Sequence, residues 1–148
     1  MTGINMARVL VGGIVAGLVI NIGEFILNMF VLGAEMEALV ARMNLPPLGG
    51  QQIGIFVVLV FALGIGTVWL YAAIRPRFGP GVGTALCAGA AVWFFAYLYP
   101  SLSMMVMGVF PAGMTMLAVV WGLAEVLAGA ALGAWVYQEH VAGVTARV

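Results

Sequence analysis

Apolar residues in this chain neither alternate nor recur as a narrow stripe; they come in four long runs, at residues 9–33, 53–74, 82–99 and 114–137. A bilayer core about 30 Å thick is crossed by roughly 20 residues of helix rising about 1.5 Å each. The runs therefore predict an all-α fold, a four-helix transmembrane bundle formed by the 148 residues as one domain. Helix breakers fall between the runs: Asn-Leu-Pro-Pro-Leu-Gly-Gly at 44–50, Arg-Pro-Arg-Phe-Gly-Pro-Gly at 75–81, and Pro100 and Pro111 around the last turnaround. Connections this short predict antiparallel neighbours. Arg8 before the first run has the outline of a signal peptide, but the run is too long and no small-x-small cleavage site closes it, so it reads as a retained span.

The segment 34–43 interleaves Glu35, Glu37 and Arg42 with apolar helix formers, which predicts an amphipathic helix on the outer membrane surface. The uncharged stretch from Pro100 to Pro111 either dips into the interface or extends the third helix past its proline.

Composition strengthens this picture: 65% of residues are hydrophobic and 7% charged, whereas a soluble domain carries about a quarter charged residues. Lys and Asp are absent. No basic patch exists to neutralise phosphates, which excludes nucleic acid as a partner and leaves the lipid bilayer. Arg8, Arg75, Arg77 and Arg147 fall on one side of a four-span arrangement and Arg42 on the other, so the positive-inside bias predicts both termini in the cytoplasm. Trp69, Tyr71, Tyr97, Tyr99, Trp135 and Tyr137 fall near span ends, where amphipathic rings settle at headgroup level. Cys87, the one cysteine, reads as a small apolar filler.

The candidate chemistry lies on the first span. Gly13, Gly17, Asn21, Glu24 and Asn28 are spaced by three or four and line one face, within a stripe of about 80°. An acid at the centre of a bilayer helix costs roughly 2.5 to 3.5 kcal/mol on insertion scales, so this face must meet protein, water or an ion. The fourth span offers Glu125, on a face with Ala118, Trp121, Gly122, Gly129 and Leu132. Counted from the cytoplasmic ends, Glu24 lies roughly 22 Å and Glu125 roughly 18 Å up the helix, so both acids occupy one layer. Asn21, Glu24, Asn28 and Glu125 form the predicted intramembrane polar site, with little polar help expected from the second and third spans. Desolvation and a like-charged neighbour both favour the neutral acid, and a neutral Glu bonded to Asn joins helices.

Other features carry less. Met104, Met105, Met107, Met114 and Met116 crowd the outer turnaround; thioethers are ligands for Cu(I), though Met is equally an apolar filler there, and no metal is assigned. His140, the only histidine, reads as a solvated interfacial residue rather than a haem or pigment ligand, and the cofactor question stays open. Gly13/Gly17, Ala85/Gly89 and Gly129/Gly133 are small-xxx-small seams for helix packing rather than phosphate loops. No Cys-His, Ser-His-Asp or His-Glu-x-x-His arrangement is present, so the chain is not expected to be an enzyme.

Three stretches, residues 11–25 (VGGIVAGLVINIGEF), 71–81 (YAAIRPRFGPG) and 120–126 (VWGLAEV), resemble a family of uncharacterised four-span bacterial membrane proteins. The resemblance implies a bacterial cytoplasmic (inner) membrane location and no particular activity. Small multidrug transporters also have four short spans and a glutamate in the first, but this chain is longer, adds an acid in the fourth span and has a clear charge bias. Two function classes fit these residues. One is a small accessory or assembly subunit, bound to a membrane-protein partner or to copies of itself, whose buried acids act as interhelical glue. The other is a small proton- or cation-coupled transporter that uses Glu24 and Glu125.

Overall fold

The computed structural model describes residues 3–137. Helix α1 (Met6–Ile26) is capped by the Asn5 side chain, which accepts from the Arg8 backbone N–H at 3.1 Å, and it continues as a π turn over Leu27–Val31. A short helix α2 (Gly33–Arg42) follows, then α3 (Gly50–Phe78). Helix α4 (Val82–Trp93) runs through a second π turn (Phe94–Leu98) into α5 (Tyr99–Val106), and α6 (Ala112–Val136) closes the described chain. No strand occurs among the described residues.

Four continuous helical stretches, Met6–Val31, Gly50–Phe78, Val82–Val106 and Ala112–Val136, are long and apolar enough to cross a membrane. The third is longer than the run 82–99, because α5 carries the helix past Pro100. Proline offers no N–H and crowds the preceding turn. The wide π turn just before it, closed by the Tyr99 N–H on the Phe94 carbonyl, lets the helix continue. Helix α3 likewise runs through Pro76 and ends two residues later at Phe78. The turn that follows needs glycine at Gly79 and Gly81, with φ of 82° and 135°. Thr84 Oγ1 donates to the Gly79 carbonyl at 2.7 Å, and the Gly81 N–H donates to the Tyr71 hydroxyl at 3.3 Å.

Helix α1 packs against α3 and α6, and α4 against α6 and α3, so sequential spans are antiparallel neighbours around a four-helix ring. Small residues set the spacing. A Cβ on Gly13 would fall on the Ile65 backbone, and one on Gly17 would come within 2.9 Å of Phe61 Cα. From the other side of that seam Gly64 lies against the Gly17 backbone. The α1–α6 seam is equally close: a Cβ on Gly133 would lie 2.8 Å from the Gly12 carbonyl oxygen, and one on Gly129 3.0 Å from that of Ala16. Gly89 meets Ala130 on α6 in the same way, beside the buried Ala85. In a bilayer, where neighbouring lipid is as apolar as leucine, such backbone approach supplies the dispersion that holds helices together.

Tyr71 and Tyr137, both expected at the headgroups, are 4% and 2% exposed and pack edge to face with centroids 5.9 Å apart. The Arg75 guanidinium carbon lies 5.9 Å from the Tyr137 ring centroid. Trp69, Tyr99 and Trp135 instead point outward, and Cys87 is exposed rather than an interior filler. At the opposite end α2 buries Leu39 and exposes Glu35 and Glu37, and Arg42 donates to the Val109 carbonyl of the α5–α6 turn at 2.7 Å. Glu139, His140 and Arg147 lie outside the described residues.

Candidate functional site

The acids of α1 and α6 meet through a residue from a third helix. The Tyr97 hydroxyl lies 3.0 Å from Glu24 Oε1 and 3.0 Å from Glu125 Oε1. Asn28, one turn beyond Glu24, donates its amide to Glu24 Oε2 at 2.9 Å and to the Glu24 carbonyl at 2.8 Å. Trp121 Nε1 donates to the Gly23 carbonyl at 3.1 Å, and Trp93 Nε1 to the Val119 carbonyl at 2.9 Å, so two indoles brace the site against α1 and α6. Glu24 is half-buried. Glu125 is 6% exposed, and its Oε2 is buried with no hydrogen-bond partner.

Tyr97 corrects the expectation that it sits near the headgroups and that the third span brings little that is polar to this depth. Along α4 the inward positions run Ala85, Ala88/Gly89, Val92/Trp93, and a regular helix would next turn Ala96 inward. Ala96 is exposed and Tyr97 turned in, because the π turn Phe94–Leu98 adds a residue and advances the register. Two glycines make the space: a Cβ on Gly122 would strike the Tyr97 ring, and one on Gly23 would strike Glu125 Oε2. Gly23 beside Glu24, and Gly122 three residues before Glu125, were the legible signals; the π turn left none.

Asn21 does not join the acids. Its amide donates to the Gly17 carbonyl at 2.9 Å and reaches the Val57 carbonyl on α3 at 3.4 Å. Of the predicted polar site, the structure brings together Glu24, Asn28 and Glu125, adds Tyr97, and turns Asn21 toward α3. Among the outer methionines Met104, Met107 and Met116 are exposed, and no group of three or more His, Cys, Asp or Glu able to hold a metal occurs among the described residues.

A phenol carries one proton, so two carboxylates cannot both accept from it. With both contacts at 3.0 Å, one carboxyl must be protonated and donate to the phenol oxygen. The cluster is thus a chain of oxygens in which an acid, a phenol and a second carboxyl share two protons. Toward the Arg75 end the core is apolar: Ile20, Val126, Ala16, Ala130 and Val68 are buried below the cluster. Of the hydroxyls at that end, that of Thr67 donates to the Leu63 carbonyl of its own helix at 2.8 Å, and those of Tyr71 and Thr84 are engaged at the 79–81 turn.

Four long apolar helices with apolar side chains turned outward are the architecture of a multi-pass membrane protein. No protein-family model, no curated protein and no solved structure matches the chain.

Proposed function

We propose that this chain is a small accessory or assembly subunit of a complex in a bacterial cytoplasmic membrane, with both termini in the cytoplasm and no catalytic activity of its own. In this reading Glu24, Asn28, Tyr97 and Glu125 are a clasp that fixes α1, α4 and α6 in one arrangement, while the small-residue seams bind helices at close range. The observation that carries it is that the cluster closes on itself. Polar groups from three helices bond one another, Glu125 Oε2 excepted, and the apolar layer of Ile20, Val126 and Val68 lies beneath them. A through-going ion path would have to cross that apolar layer.

The half-burial of Glu24 favours a second reading, a small proton- or cation-coupled transporter that uses Glu24 and Glu125. Native mass spectrometry of the full chain purified in mild detergent separates the two. The subunit reading expects a partner at fixed stoichiometry, or a defined homo-oligomer, that survives Glu125→Gln, because the amide keeps the shape and the hydrogen bond. A pH-gradient-driven cation flux in liposomes, lost in a folded Glu125→Gln protein, would make it a transporter.

A further inference from the structure

We propose that the cluster is a proton-binding site of fixed polarity, in which Glu125 holds the proton, Tyr97 relays it and ionised Glu24 receives it. Two arrangements satisfy the pair of 3.0 Å contacts. In one, Glu125 is neutral and donates through Oε1 to the phenol oxygen, and the phenol donates to Glu24 Oε1. Glu24 then accepts at both oxygens, from Tyr97 and from Asn28 at 2.9 Å. In the other, Glu24 is neutral and Glu125 is the anion, accepting from Tyr97 at Oε1 with Oε2 left unpartnered.

The unpartnered Glu125 Oε2 decides between them. On a residue 6% exposed, that atom has no donor. As the carbonyl oxygen of a neutral acid it forgoes one weak bond; as half of a carboxylate it strands charge away from water. Nothing facing it supplies that charge from elsewhere. On α1 the facing groups are Glu24 and Asn28, on α4 Tyr97, and on α6 itself Trp121, whose N–H donates to the Gly23 carbonyl. Helix α3 carries its titratable groups, Tyr71, Arg75 and Arg77, at the far end, and Tyr99 of α5 points outward. Oε2 occupies the space that a side chain at Gly23 would need, hard against α1.

The relay step balances. The Glu125 Oε1–H bond breaks as the phenol oxygen takes that proton, and the phenolic O–H bond breaks as Glu24 Oε1 takes its proton. Glu24 is left neutral and Glu125 anionic, with no net charge created. Glu24 is the half-buried end and so the mouth of the site; Glu125, above the apolar layer, is its closed end. This site is independent of both readings of function, since a clasp and a carrier would each contain it.

Infrared spectroscopy of the full chain in lipid nanodiscs at neutral pH, with 13C-labelled glutamate, tests it. The expected result is a carbonyl stretch of an un-ionised carboxylic acid in the wild type, retained in Glu24→Gln and lost in Glu125→Gln. Tyr97→Phe should keep the band and slow its hydrogen–deuterium exchange, because the proton has lost its way to Glu24; a purely structural tyrosine would leave that rate unchanged or raise it, and either outcome would overturn the relay. A wild type with no acid band at neutral pH, or a band lost in Glu24→Gln, would overturn the site. If Glu125→Gln fails to fold, the wild-type and Glu24→Gln spectra decide alone.

Discussion

Glu24 and Glu125 carry the same side chain, yet their neighbours ask different things of it. Glu125 meets the Tyr97 hydroxyl through Oε1, a contact that a donor satisfies as well as an acceptor does. Glutamine at 125 can therefore donate its amide to the phenol oxygen in place of an acid proton. Glu24 accepts twice, from Tyr97 and from Asn28. Glutamine has one acceptor, so at position 24 its NH2 must face one of those donors. Glu125→Gln should change stability by under about 0.5 kcal/mol, and Glu24→Gln should cost about 1 kcal/mol, the scale of one interhelical hydrogen bond in a membrane. Tyr97→Phe, which removes both contacts, should cost about 1 to 3 kcal/mol. Reversible SDS unfolding followed by circular dichroism measures all three. Equal losses at 24 and 125 would contradict the asymmetry of the site.

At the scale of elements, the four apolar runs were legible because a membrane span declares itself by length alone, and the layer shared by Glu24 and Glu125 followed from helical rise. The residue that joins them was not legible. Helical period read through the third span places Ala96 inside and Tyr97 beside it, and only the π turn at Phe94–Leu98 exchanges them. Asn21 illustrates the opposite error: the period put it on the acid face, but α3 passes close enough at Gly17 and Phe61 for its amide to reach Val57. Gly122 gives the element-level test, since a Cβ there would lie 2.7 Å from Tyr97 Cε1. Gly122→Ala should destabilise by about 1 to 3 kcal/mol, as overpacking does, whereas Gly66→Ala, with nothing within 4 Å of its Cβ, should be neutral or stabilising by up to about 1 kcal/mol. The same SDS titration compares them, and matching effects would mean that the ring does not occupy the space beside Gly122.

For the whole molecule, the seams fix which charges share an end. Gly13 against Ile65 and Gly17 against Phe61 make α1 and α3 antiparallel, so Arg8 at the start of α1 lies at the same end as Arg75 and Arg77 at the close of α3. Arg42 lies at the other end, where it closes α2 onto the α5–α6 turn. An arginine near a helix end resists translocation, and three at one end outweigh one at the other. A reporter inserted at the Gly79–Gly81 turn should therefore be active on the cytoplasmic side, and one inserted at 44–49, just after α2, on the far side. Arg8→Gln with Arg75→Gln and Arg77→Gln leaves Arg42 as the one arginine of the described residues and should weaken that preference, so that reporters at the two sites give mixed signals. A cytoplasmic signal at 44–49 in the unaltered chain would mean that the arginine bias does not set its orientation, even with the four helices packed as they are.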